Sequence, residues 1–171
     1  MKTSLTSNEV QELKRLLAIV KQDGGWLPDE ESMRLLHGTV SMWAPELVIT
    51  RIVHWRREIL LAVYGDEVER FRGHWHIPGG YNRFPEAGIQ ETCSRVALRE
   101  LGVDVSYVYT YPNPHKWTNE EHPYGHPLSL YVKCVPLSEI VETDTMRFFC
   151  RENLPENLLP VHLQFIMESI F

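Results

Sequence analysis

The chain has 171 residues, enough for one domain with a core and too few for two. Hydrophobic residues make up 43% and charged residues 23%, near globular averages, which excludes collagen, coiled coil and wholesale disorder. The 23 acidic against 17 basic residues leave a net charge of -6, so no basic face is expected for duplex nucleic acid. The longest unbroken apolar stretch, Ile59 to Tyr64, is far short of the roughly 20 residues of a membrane span. The opening residues lack the apolar core of a secretory signal. Cys93, Cys134 and Cys150, with no CxxC spacing, predict buried thiols in a reducing cytoplasm.

Ser7 can cap a first helix, in which Val10, Leu13, Leu16, Leu17 and Val20 recur at helical spacing until Gly24-Gly25 stops it. Asp29 to Leu36 is a shorter helical candidate. Residues 1–43 thus form a helical extension, covering a core or a homodimer partner, ahead of a domain over 44–171. Leu47 to Val53 and Glu58 to Val63 predict strands, with Trp55-Arg56-Arg57 turning between them. His74 and His76 alternate with Trp75 on a strand that runs into Pro78-Gly79-Gly80, and pocket-edge packing suits them better than metal ligation. Gln90 to Leu101 has helical spacing and ends at Gly102, a residue suited to the left-handed position after a helix. Val103 to Tyr111, Leu128 to Val135 and Met146 to Cys150 predict strands, and Leu159 to Phe171 a closing helix entered at Pro160. This order predicts an α/β/α sandwich around a mixed sheet.

Pro112 to Pro127 is a sixteen-residue loop with four prolines, Trp117, His115, His122 and His126. A loop that long in a small domain is expected to contribute to a site. His122 and His126 are four apart, but Pro123 and Gly125 forbid the helix that would make them zinc ligands. Arg70, Arg72 and Arg83 bracket the double glycine and can fork onto phosphates, while Trp117 and Tyr124 can stack on a base or sugar. Cys93 has no partners that would make it a nucleophile.

The most specific pattern runs from Gly80 to Val103. Two glycines after a strand let the backbone approach a ligand and leave carbonyls free to face a cation. Gly80, five residues, Glu86, eight residues, Arg95, then Glu100-Leu101-Gly102-Val103 resembles the Nudix box with one residue inserted. That box marks hydrolases of nucleoside diphosphates linked to another moiety. Two of its glutamates are missing, replaced by Val96 and Arg99. One carboxylate on the helix face cannot do the work of three, so a multi-metal mechanism is not supported.

The degenerate box is most similar to that of GDP-mannose mannosyl hydrolases. The resemblance implies a single magnesium ion (manganese as a substitute) held by the Gly79 carbonyl, Glu100 and a late-loop oxygen from Glu142. It implies that Gly80, Glu86 and Gly102 shape the loop and helix. Arg95, counted with Arg72, Arg83 and Trp117 among substrate contacts, would orient the loop through Glu86. That branch carries a histidine where this chain has Thr143, a hydroxyl too weak to serve as a base. Either His115, His122, His126 or Glu142 then takes the role, or the chemistry differs, with attack on phosphorus in place of substitution at a sugar carbon. The expected function is magnesium-dependent hydrolysis of a small nucleotide derivative, most like a nucleotide sugar. Two alternatives stay open: a Nudix-fold binding or regulatory module without turnover, and a hydrolase of non-sugar diphosphates.

Overall fold

Helix α1 (Ser7–Gln22) begins one residue earlier than Ser7 suggests, because Thr6 is the cap. The Thr6 hydroxyl accepts from the Glu9 N–H at 3.4 Å, while the Glu9 carboxylate accepts from the Thr6 N–H at 2.7 Å. Its Leu13, Leu16, Leu17 and Ile19 are exposed, so the apolar stripe joins no core cluster among the described residues. The computed structural model describes residues 5–22, 31, 32, 35, 42–65, 69–83, 85–118, 120–122 and 127–171. The short helix expected at Asp29 to Leu36 lies largely outside the described residues, as do Tyr124 and His126. Among the described residues no helix is long and apolar enough to cross a membrane.

The run read as one strand from Leu47 to Val53 is two. β1 (Trp43–Val48) and β2 (Thr50–Val53) belong to different sheets and part at buried Ile49. β1 lies parallel to β7 (Leu128–Pro136), with Glu46 beside Tyr131. β5 (Val105–Thr110) flanks β7 on its other side, antiparallel. The long loop does carry structure: β6 (His115–Lys116) pairs with the start of β7, putting His115 opposite Ser129. The second sheet is antiparallel. Its β3 (Arg56–Val63) pairs with β2, with β4 (Trp75–His76) and with β8 (Met146–Cys150). The expected mixed sheet is therefore one of two. β2 and β3 are joined through His54 and Trp55, both with positive φ, 47° and 68°.

Helix α2 (Ile89–Leu101) ends where expected, at Gly102 with φ 69°. Cys93, Val96, Ala97 and Leu101 face inward and pack with Leu47, Leu60 and Val132 in one core cluster. Helix α3 (Pro160–Ser169) buries Phe165 and Ile166 in a second cluster with Val48, Ile59 and Tyr131. Tyr131 and Phe165 stack with ring centroids 3.7 Å apart. The three thiols are buried and unpaired, as their spacing predicts.

Candidate functional site

The strand β4 runs into Ile77-Pro78 and then the double glycine, which is pinned from both sides. Leu47 N–H donates to the Pro78 carbonyl at 2.7 Å, and Gly80 N–H donates to the Pro45 carbonyl at 3.3 Å. A side chain on Gly79 would meet the Glu46 carboxylate, whose Oε2 lies 2.0 Å from where a Cβ would stand. Only a glycine lets the bend and β1 come this close. The bend forms one wall of a cleft of about 790 Å³. Its other walls come from α2 (Arg99, Glu100), the long loop (Trp117, His122) and the turn before β8 (Thr143, Thr145).

The loop after the bend is held by the Glu86–Arg95 pair, despite the inserted residue. Arg95 donates through Nε to Glu86, and through Nη2 to the Tyr81 carbonyl at 2.5 Å. Glu86 also accepts from the Arg83 N–H at 2.8 Å and the Thr92 hydroxyl at 2.9 Å. Burial works against its charge, but Arg95 first, then the other donors, hold its carboxyl below the usual range. Arg95 thus orders the loop. Arg83 lines the cleft, where burial and the charges of Arg95 and Arg99 lower its pKa from the usual arginine value. Arg72 is exposed and is not among the lining residues.

The expected metal ligands do not come together. Gly79 and Glu100 face one point, but the guanidinium of Arg99 is already there. Its Nη2 lies 2.5 Å from Glu100 Oε1 and 3.4 Å from the Gly79 carbonyl oxygen. Glu142 is turned to another surface: Arg51 Nη2 lies 2.8 Å from it, and it accepts from the Phe148 N–H at 3.1 Å. Arg51 in turn is fixed by Glu58 and by the Phe148 ring, 3.9 Å away. Among the described residues no group of three or more His, Cys, Asp or Glu is placed to hold a metal. With Arg99 between Glu100 and the Gly79 carbonyl and Glu142 paired to Arg51, these three residues as they stand do not fit the expected magnesium or manganese ion.

Of the candidate bases, His122 lines the cleft, with Nε2 3.3 Å from the Tyr81 hydroxyl. His115 sits behind Trp117, edge-on at 5.1 Å, and 3.6 Å from Glu121. His76 is buried and stacked on Tyr64 at 3.7 Å; burial lowers its pKa to about 3, so it stays neutral.

One residue escapes sequence reading altogether. Glu46 on β1 is only 6% exposed and lines the cleft. Its Oε1 accepts from the Ser129 hydroxyl at 2.7 Å, and Ser129 accepts from Trp117 Nε1–H at 2.8 Å. Burial pushes its carboxyl up to about 7, against the Ser129 hydrogen bond, with the nearby Glu100 charge adding to the rise. The signal was a lone carboxylate within the otherwise apolar run from Trp43 to Ile49.

No family model matches the sequence, and neither does any curated protein. Solved structures do match. A Nudix hydrolase from Nitrosomonas europaea superposes with a TM-score of 0.57 at 17% identity, covering 76% of this chain and 72% of that one. The fold is the Nudix fold. The Nudix domain of NrtR from Shewanella oneidensis, solved in complex with ADP ribose, matches at TM-score 0.54 and 16% identity, covering 76% of this chain and 86% of that one. A Caenorhabditis elegans (C. elegans) Ap4A hydrolase matches at 0.51 and 15%, over 66% and 83%. Within the Nudix fold, the strand, bend, loop and helix that carry the degenerate box here lie in the order its spacing predicts.

Proposed function

We propose that the chain binds a nucleotide derivative through its diphosphate, with the Arg99 guanidinium standing where the box resemblance put a metal ion. The observation that carries this reading is the placement of Arg99 Nη2 between Glu100 and the Gly79 carbonyl. An entering diphosphate would meet Arg99 and Arg83, both in the cleft. Guanidinium forks match phosphate oxygens in geometry, and an anion offsets the burial and the repulsion from Arg95 and Arg99 that lower the pKa of Arg83. Trp117, Phe71 and His122, in mutual ring contact, offer the aromatic surface on which a base or sugar ring stacks. The NrtR domain, complexed with ADP ribose, supports this ligand class.

This is the binding or regulatory alternative, and Arg99 favours it over turnover. Hydrolysis is a second reading, supported by the hydrolases that share the fold and by the convergence of Gly79 and Glu100 on one point. A nucleotide sugar belongs to the proposal as the preferred ligand. A homodimer, supported by the exposed apolar residues of α1, and the division into residues 1–43 and 44–171 belong to it as well. The test is calorimetric binding of ADP ribose and GDP-mannose with magnesium and with chelator, beside a turnover assay on the same samples. Binding that is indifferent to magnesium, without product, is the expected result. Magnesium-dependent product release would move the conclusion to hydrolysis.

A further inference from the structure

We infer that Glu46 is a ligand-recognition group, its Oε2 accepting a hydrogen bond from an N–H or O–H on the uncharged part of the bound nucleotide derivative. This rests on the binding reading above and adds which part of the ligand the floor of the cleft reads. Ser129 takes the Trp117 Nε1–H and so aims its own proton at Oε1, leaving that oxygen served. Oε2 is buried and has no hydrogen-bond partner among the described residues. A buried acceptor left bare costs about 1–3 kcal/mol, and native chains leave few such atoms. The other residues of β1 are apolar and, Trp43 aside, buried, so packing alone gives no reason for a carboxyl here. Glu46 lines the cleft beside Gly79, and its Oε2 lies against the Gly79 bend. Tyr64 and His76, stacked together in the cleft lining, supply flat apolar surface beside it. A carboxylate oxygen in such a setting selects a donor: an exocyclic amine or ring N–H of a base, or a hydroxyl of a sugar.

The experiment is isothermal titration, at about pH 8.5 where the Glu46 carboxyl is ionised and Oε2 accepts, of the wild-type chain and Glu46→Gln with ADP, GDP, ADP ribose and GDP-mannose, under chelator. Gln keeps the oxygen that Ser129 serves and puts an NH₂ where the free acceptor was. The expected result is a loss of about tenfold or more in Glu46→Gln for the tightest probe. A loss shared by ADP or GDP places the donor on the nucleoside, in its base or its ribose; a loss confined to ADP ribose or GDP-mannose places it on the second sugar. Affinities within about twofold of wild type for every probe would overturn the inference and leave the binding reading standing. Failure of the wild-type chain to bind any of the four would overturn both. If Glu46→Gln does not fold, a crystal structure of the wild-type chain with its tightest probe decides instead. A ligand nitrogen or hydroxyl within about 3.2 Å of Oε2 supports the inference, and a bare Oε2 overturns it.

Discussion

Arg99 and Glu100 are adjacent on α2, yet the guanidinium of one curls back onto the carboxylate of the other, at 2.7 Å through Nε. Neighbouring side chains on a helix diverge by about 100°, so the guanidinium must bend round to reach its neighbour. The Gly79 carbonyl accepts from the same guanidinium at 3.4 Å and holds it on the side of the bend. If the triangle is what keeps a metal out, Arg99→Glu reverses it, setting two carboxylates against the carbonyl. The variant is expected to bind Mn²⁺ measurably where the wild-type chain does not, as followed by water-proton relaxation. Equal Mn²⁺ affinity in both chains would sink the idea.

Arg95→Ala removes the group that donates to both Glu86 and the Tyr81 carbonyl. The pair is partly buried, with 26% and 12% of the two side chains exposed, so solvent screening is limited. Glu86 keeps its bonds from Arg83 N–H and Thr92. The expected cost is about 2 kcal/mol, read as a Tm fall of about 4–8 °C. An unchanged Tm would show that the loop holds without the pair.

The Glu46 carboxyl, raised to about 7, stays protonated in the folded chain over a range where the unfolded chain has already ionised. Its raised value therefore favours folding at low pH, and that contribution is lost as pH rises from the ordinary carboxylate range to about 7. The full loss is about 3 kcal/mol. Glu46→Gln removes it, so the variant should gain stability relative to wild type between about pH 5 and about pH 8. His76, lowered to about 3, acts with the opposite sign: its contribution is lost as pH falls below the usual histidine value. Both chains share His76, so urea denaturation at the two pH values isolates Glu46. A stability difference that does not vary with pH would refute the assignment.

The hairpin between β2 and β3 carries Trp55 at φ 68° with its side chain 98% exposed. A bulky residue pays a left-handed penalty there and recovers nothing from packing. Trp55→Gly is expected to stabilise the chain by about 1 kcal/mol, a Tm rise of about 2–4 °C. A fall in Tm would mean that the indole makes a contact that matters.

Much of the fold was legible because its signals are local. The α2 period, its stop at Gly102 and the Pro160 entry to α3 each depend on a few consecutive residues. The Glu86–Arg95 contact was legible too, since the loop absorbs the extra residue without moving either partner out of reach. Glu46 was not, because its meaning comes from Ser129, 83 residues away, brought alongside only by the parallel pairing of β1 with β7. Glu142 shows the reverse case. The box resemblance named it as a late-loop ligand, but Arg51 on another strand decides which way the carboxylate turns.

The contact of Gly79 with Glu46 also constrains how this chain can drift. Any side chain at 79 would have to displace a carboxylate that has nowhere to retreat, since Ser129 tethers its other oxygen. A larger residue at 79 is therefore admissible only with a smaller one at 46. In related chains the two positions should change as a couple, and one altered alone would mark a bend that has shifted off the first strand.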